Sequence, residues 1–459
     1  MSNIEFGTDG WRAVLGKDFN YENTDKVINA IACYIFSEEK FNSKIIIGYD
    51  PRNKADEFAS YIAEKLAFMG FDIELSSKVV ATPVLAYCAL NRNAYAIMIT
   101  ASHNPPEYLG IKFILKYGGP ADNPTIEKIV NNLEKTFNNN ITPKTPRKVS
   151  FNEEYINHIS KIIDFEKIKH SKIEINYDGH HGAGAKLFKE IIDDNKIKNI
   201  SINLERDINF GGFMPDPKEK YLPELKKLCK QNNNIGFSND GDGDRFGVFN
   251  EKGEFVSANE IIIILLKHLI ENKGLTGKIA KTVGASSIID CAAKKLNIKV
   301  IETPVGFKYL SEVMRNEDVI IAGEESGGLS IKNHIPEKDG IIANLLVIEA
   351  IAFYNKKLYE LQEDVKELAG KSFFNSRTDL KLDSKKEQDD IIEKFKNYEK
   401  IGSLNIVRKN TLDGLKLYLE DGSSILIRKS GTEPLLRVYF ESDKEEKIKI
   451  LNDVFKILC

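Results

Sequence analysis

An apolar strand, a polar turn, an amphipathic helix and a second apolar strand follow one another three times in this chain. That repetition restricts the accessible folds more than any other feature. The first copy begins with Ile45, Ile46 and Ile47, turns at 48–52, and continues as a helix with Phe58, Tyr61, Ile62, Leu66 and Met69 on one face. Its second strand starts at Phe71. The second copy spans a strand at 173–177, a Gly- and His-rich turn at 178–184, and a helix bearing Leu187, Phe188, Ile191 and Ile192. A strand near 200–204 completes it. The third starts near Ile279, turns at 284–286, and carries Ile288, Ile289, Ala292 and Leu296 before Val300 and Ile301. Apolar residues spaced i, i+3 and i+4 mark the helices, and the strand–helix–strand order requires α/β layers. At 459 residues the chain exceeds one small core, so the three units predict three related α/β domains.

Boundaries are expected where composition shifts. Residues 138–150 are polar, hold Pro143 and Pro146 and lack periodicity, which suits a linker. A turn near 250–253 precedes Ser257 and Glu260, spaced as a capping box that opens a strongly apolar helix. Gly370, Lys371 and Ser372 follow what reads as one long helix over 340–368 and form a candidate hinge. The expected domains are therefore 1–146, 147–250, 251–369 and 370–459. The last has a different pattern: a charged helix at 383–398, strands near 414–419, 424–427 and 436–441, and a closing helix from Glu445. It reads as a small α+β domain appended to the other three.

Charge and cysteine usage exclude several classes. Net charge is −3, with 29% charged residues, and no basic footprint for nucleic acid exists. The five cysteines, Cys33, Cys88, Cys229, Cys291 and Cys459, are far apart and form no zinc spacing or disulfide framework. Reduced thiols in a cytosolic protein are the expectation. The N-terminus lacks the features of a signal peptide. The apolar segments 261–270 and 341–354 are shorter than the roughly 20 residues a membrane span needs, and Lys267 or Glu349 interrupts them, so both are expected as buried helices.

Four loops carry chemistry. The apolar run 95–99 delivers Ser102 into a turn braced by Pro105 and Pro106, with His103, Asn104 and Lys112 able to donate hydrogen bonds or move protons near it. Alone, this is equally a polar strand-to-loop connection. In the second loop, Asp240, Asp242 and Asp244 alternate with glycines and are followed by Arg245. Three carboxylates so close suit a hard divalent cation such as Mg²⁺. An EF-hand also begins this way, and Glu251 falls at its twelfth position. Its sixth position, however, holds Arg245 instead of the required Gly, and the flanks read as strands. A phosphatase with an aspartate nucleophile and a plain solvated acidic turn would also show such a run. The third loop, Gly323-Glu324-Glu325-Ser326-Gly327-Gly328, sets carboxylates and a hydroxyl among glycines, suited to sugar hydroxyls. Downstream, Lys338 is placed to meet an anion, and Asp339 is equally a plain N-cap. The fourth loop places Arg428, Ser430, Gly431 and Thr432 together, with Arg437 just beyond. This is a compact cradle for a phosphate. Near the start, Asp9, Trp11 and Arg12 form a further polar turn with a possible phosphate-contacting Arg. His180 and His181 read as a helix N-terminus more readily than as a metal site.

Taken together, Gly7-Thr8-Asp9-Gly10-Trp11-Arg12, Thr100-Ala101-Ser102-His103-Asn104-Pro105-Pro106, Asp240-Gly241-Asp242-Gly243-Asp244-Arg245, Gly323-Glu324-Glu325-Ser326-Gly327 and Arg428-Lys429-Ser430-Gly431-Thr432-Glu433-Pro434 resemble, in order, the motifs of the α-D-phosphohexomutase family. The resemblance covers essentially the whole chain. It implies four domains around a central cleft: three related α/β domains with mixed sheets and a mobile C-terminal α+β domain. It further implies a phosphoserine at Ser102, with Mg²⁺ held by Asp240, Asp242, Asp244 and the Ser102 phosphate. Lys112 and Arg12 would serve proton transfer and charge stabilisation, with His103 a second candidate for the proton. Glu324 and Ser326 would hold sugar hydroxyls. Gly306, Phe307 and Lys308 lie in a segment similar to the family's specificity loop. They join Lys338, Arg245 and Arg437 as substrate-binding residues, while Arg428, Ser430, Gly431 and Thr432 would grip the phosphate that is not reacting.

The implied reaction interconverts hexose 1-phosphate and hexose 6-phosphate through a 1,6-bisphosphate, with glucose 1,6-bisphosphate as activator. The Glu324-Glu325-Ser326 run with His334–Gly340 looks more like phosphoglucomutases, so glucose is favoured and mannose is a second possibility. Phosphoglucosamine mutase activity, a phosphatase and a non-catalytic sugar-phosphate sensor are the competing readings. The expected partner is a small-molecule sugar phosphate, with no nucleic acid and no membrane. The expected state is a monomer or weak homodimer.

Overall fold

The computed structural model describes residues 4–7, 9–41, 43–137, 142–429 and 435–459. Each repeat predicted above becomes one mixed sheet built to a single plan. In the first, the parallel strands Asp72–Ser76, Lys44–Tyr49 and Tyr95–Ile99 lie side by side, and Tyr108–Leu115 runs antiparallel beside the last. The second repeats this with Lys198–Ile202, Glu174–Asp178 and Ile235–Asn239, then antiparallel Phe246–Phe249. The third uses Val300–Thr303, Lys278–Thr282 and Val319–Gly323, then antiparallel Leu329–Ile331. In every sheet the hairpin from the last parallel strand to the antiparallel one carries a chemical loop. Ser102, the three aspartates and Glu324 thus occupy equivalent places in three domains.

The fourth unit is an antiparallel sheet of six strands, with the helices Lys385–Lys396 and Glu445–Leu458 packed on it. Its hydrophobic cluster, which includes Phe395, Leu417, Ile427, Val438 and Phe455, lies wholly within 391–455. The first three units instead share one core: Ile46 and Met98, Ile175 and Phe237, and Ile262 and Ile348 belong to a single buried cluster. The opposite face of the first sheet packs separately on the helices Tyr21–Glu39 and Ala55–Phe68, around Trp11, Ile28 and Phe58.

Local chemistry explains the helix starts. Ser257 and Glu260 form the predicted capping box of the helix Ala258–Glu271. Asp339 Oδ1 accepts the backbone N–H groups of Ile341 and Ile342, opening the buried helix Gly340–Tyr354. Three expectations need correction. The long helix over 340–368 is two helices, Gly340–Tyr354 and Leu358–Ala369, because Asn355 adopts a left-handed conformation. The stretch read as a linker contains the strand Arg147–Val149, which pairs with Asp72–Ser76 at the edge of the first sheet. The last domain has a further edge strand, Phe374–Lys381, and a strand Leu404–Asn410 that the pattern did not reveal. No helix among the described residues is long and apolar enough to cross a membrane.

Candidate active site

Ser102 is buried and holds a left-handed conformation, φ 51°, uncommon for a residue with a side chain. Its Oγ donates to Asp240 Oδ2 at 2.9 Å and lies 3.3 Å from His103 Nδ1. The close approach depends on Gly241: a Cβ there would stand 2.7 Å from the Ser102 carbonyl oxygen. Burial, followed by the nearby Arg245 and Arg12 charges, holds the His103 imidazole well below its usual pKa, which favours the neutral ring.

Asp240, Asp242 and Asp244 are fully buried, with ligand atoms all within 4.8 Å of one another. Burial and the charges of Asp244 and Asp242 push the Asp240 carboxyl well above its normal range. Asp242 Oδ1 and Asp244 Oδ1 are buried without a partner. Three crowded carboxylates with unsatisfied oxygens are a donor set that fits a hard divalent cation. Lys112 Nζ supplies part of the balancing charge: it lies 2.8 Å from Asp242 Oδ2, 2.7 Å from Asp244 Oδ2 and 2.8 Å from Asp9 Oδ2. Burial opposes the Lys112 ammonium, but Asp242, Asp244 and Asp9 override it and hold the pKa well above that of ordinary lysine. Arg12 spans Asp9 Oδ2 at 2.9 Å and Asn104 Oδ1 at 3.0 Å, tying the first turn to the serine loop.

The loop of residues 323–328 is stitched to the acidic loop. Arg245 pairs with Gly328 in an isolated antiparallel bridge, and the Phe246 N–H donates to the Gly327 carbonyl at 2.9 Å. Gly327 has φ +91°, and a Cβ there would stand 2.7 Å from the Phe246 oxygen. Glu324 Oε1 accepts the Gly306 N–H at 3.1 Å, joining its loop to the segment resembling a specificity loop. Burial pushes Glu324 up to about 7, although Lys338 pulls the other way. Lys338 Nζ lies 3.2 Å from both Asp9 Oδ2 and Asp244 Oδ2, with the Phe307 ring beneath it at 5.8 Å.

Glu325 and Ser326 line a cleft of about 400 Å³ together with Arg377, Lys416 and Tyr439 of the last domain. Phe307 itself is buried in a small cluster with Ala280 and Leu310. Lys308 reaches Asn123 Oδ1 of the first domain at 2.6 Å. Arg428 is held by Asp413, whose Oδ2 it meets at 2.9 Å through Nε, and the same oxygen accepts the Val305 N–H at 2.9 Å. Arg437 stands opposite Arg428 on the adjoining strand. Ser430, Gly431 and Thr432 lie outside the described residues. His180 is buried with neither ring nitrogen partnered, behind the turn that opens the helix Ala185–Asp194.

Sequence reasoning gave no role to several residues that shape the site. Asp9 collects Lys112, Lys338 and Arg12. Its place in the same short motif as Arg12 was the available signal. Thr82 Oγ1 donates to Asp242 Oδ2 at 2.6 Å across two domains, and no local pattern announces that. Asp50 and Arg52 lie beneath the serine loop, in what reads only as a polar turn.

Comparison with known proteins agrees with this geometry. Models of the phosphoglucomutase/phosphomannomutase α/β/α domains I, II and III match residues 3–140, 153–253 and 257–368, and that of the C-terminal domain matches 383–456. A phosphoglucosamine mutase of Methanococcus maripaludis is 32% identical over 455 residues, 96% of this chain and 95% of its own. A phosphoglucomutase/phosphomannomutase of Thermococcus kodakarensis is 28% identical over 467 residues, 98% and 99% of the two chains. A Thermus thermophilus protein solved as a phosphomannomutase superposes with a TM-score of 0.89 at 28% identity, over 100% of this chain and 99% of its own. With every domain matched in order, the chain belongs to the phosphoglucomutase/phosphomannomutase family of α-D-phosphohexomutases, which are phosphotransferase isomerases.

Proposed function

We propose that the protein interconverts the 1- and 6-phosphates of a hexose, glucose first, by passing a phosphoryl group through Ser102. The supporting observation is Ser102 Oγ, buried and hydrogen-bonded to Asp240 within the acidic triad, in reach of a neutral His103. In the first half-reaction the bond from Ser102 Oγ to phosphorus breaks as one from a sugar oxygen forms. The proton leaving the sugar hydroxyl ends on Ser102 Oγ. The reverse transfer, from the other phosphate of the bisphosphate, restores phosphoserine. His103 touches the serine oxygen, and Lys112 is held charged against Asp242 and Asp244; these two would move the proton or balance the charge. Mg²⁺ held by Asp240, Asp242, Asp244 and the Ser102 phosphate would neutralise charge on the transferring group. Glu324 and Ser326 would orient the sugar, and Arg428 with residues 430–432 would hold the distal phosphate.

Glucose is favoured by the Glu324-Glu325-Ser326 run and its partner segment 334–340. Glucosamine is a second reading, because the first relatives carry the name phosphoglucosamine mutase and paired glutamates complement an ammonium. The test compares glucose 1-phosphate and glucosamine 6-phosphate as substrates, each with Mg²⁺ and a catalytic amount of its 1,6-bisphosphate. Higher kcat/KM on the amino sugar selects the second reading. Binding without turnover, or phosphate release at the rate of isomerisation, defeats both. Ser102→Ala is expected to lose at least about 10³-fold in kcat. Unchanged turnover in that variant excludes the phosphoserine route.

A further inference from the structure

We infer that Arg52 is a positioning residue for phosphoryl transfer, its buried guanidinium fixing the backbone of the loop that presents Ser102. The proposal rests on the phosphoserine reading above. The Arg52 side chain has no solvent exposure, so it acts on the reaction only through its neighbours. Its two terminal nitrogens donate to four carbonyls of one loop. Nη2 reaches the Ser102 and Asn104 oxygens, each at 2.6 Å, and Nη1 reaches those of Pro105 at 2.7 Å and Tyr108 at 3.1 Å. The loop therefore closes around one planar fork, a geometry a lysine cannot reproduce.

The fork is itself anchored. Asp50 Oδ1 accepts the Arg52 N–H at 3.0 Å, and Asp50 Oδ2 lies 3.2 Å from Arg52 Nε. Asp50 Oδ2 also accepts the Thr100 hydroxyl at 2.6 Å, and the Thr100 oxygen accepts the Ser102 N–H at 2.7 Å. Arg52 thus grips the carbonyl of Ser102 while its partner, through Thr100, grips the amide. Between those two holds the serine adopts its left-handed conformation, which needs surrounding structure to persist. From the second domain, Arg206 binds the Pro51 and Arg52 carbonyls, each at 2.9 Å, and the Phe210 ring covers the guanidinium at 5.1 Å. A shift of about 1 Å at Ser102 Oγ would break its contact with Asp240, and misplacement on that scale costs on the order of 100-fold in rate.

The test uses full-length Arg52→Met, Arg52→Lys and Thr100→Val proteins, each with a melting curve. Steady-state kinetics is paired with the single-turnover rate at which glucose 1,6-bisphosphate loads Ser102, read by intact mass. Folded Arg52 variants are expected to lose about 100-fold in loading rate and kcat, and Thr100→Val about 10-fold, with KM within about threefold of wild type. A purely structural role would lower the melting temperature and the active fraction while leaving the loading rate per folded molecule unchanged. That result overturns the proposal. So does failure of all three variants to fold, which assigns the cluster to stability alone. Wild-type protein that never carries the phosphoryl group on Ser102 overturns the phosphoserine reading itself. Loading in wild type with loss in the variants keeps the two apart.

Discussion

The three domains that carry Ser102, the aspartates and Glu324 differ in construction from the domain that carries Arg428. The former share one hydrophobic core, and their loops meet through buried charges: Lys112 joins Asp9 of the first domain to Asp242 and Asp244 of the second, and Lys338 of the third meets Asp9 and Asp244. The latter has a private core and meets the third domain through a few polar contacts. Glu441 accepts the Ser287 N–H at 3.0–3.1 Å, Lys416 Nζ donates to the Val283 oxygen at 2.8 Å, and Asn410 reaches Glu302 at 2.8 Å. A shared core resists relative motion because interiors are close-packed, whereas a polar seam can exchange its bonds for water. Ser102 and the aspartates therefore sit on the rigid part, and Arg428 sits on the separable part.

Calorimetry should break this contrast most sharply at Phe395. This ring is fully buried and lies 4.8 Å from Phe455 in a stacked pair. Phe395→Ala should cost its domain about 3–5 kcal/mol and leave the transition of the other three unchanged. One merged transition that shifts as a whole would show that the cores are coupled.

Acid should act on the opposite side of the seam. Glu324 is raised to about 7 from an ordinary 4.5, so the fold favours its protonated form. That contribution is fully present below about pH 4.5 and is lost as pH rises through about 7. Wild type should lose up to about 3 kcal/mol relative to Glu324→Gln across that window. Parallel stability profiles for the two proteins would remove burial as the cause. Mg²⁺ at a hundredfold excess over its Kd should stabilise the three-domain transition by about 2.7 kcal/mol and leave that of the last domain in place. Asp242→Asn should blunt the response. The smallest effect is expected at the seam: Glu441→Gln keeps the shape but weakens the helix-terminal contact. It should raise KM about two- to fivefold with kcat nearly constant, and a kcat loss larger than the KM change would place the seam in the chemical step.

Much of this organisation was legible because the three chemical loops follow apolar strands, and apolar runs announce themselves. The strand Phe374–Lys381 did not, since Asn375, Ser376, Arg377 and Asp379 give an exposed edge little hydrophobic alternation. The break at Asn355 was hidden by apolar residues on both sides and needed backbone geometry to appear. Within the site, the aspartate loop was readable because its ligands are adjacent in the chain. Thr82 and Arg52 were not, because they meet the site through other segments, and Thr82 meets Asp242 across 160 residues; Asp9 shares a motif with Arg12, but its pairing with Lys112 and Lys338 appears only in the fold. Lys308 belongs to a recognisable motif, yet its ammonium pairs with Asn123. A motif specifies backbone neighbourhood better than it specifies where a long side chain points.

The bridge between Arg245 and Gly328 also bears on how such a protein can diversify. Two loops zipped by main-chain bonds, with Gly327 pressed against the Phe246 oxygen, can exchange side chains at their non-glycine positions without breaking those bonds. They cannot change length without shearing the aspartates away from Ser102. Point substitution at Glu324, Glu325 and Ser326 therefore leaves the junction of the two loops in place, whereas an insertion disturbs it. A lineage built on this scaffold would vary side chains in a loop of constant span.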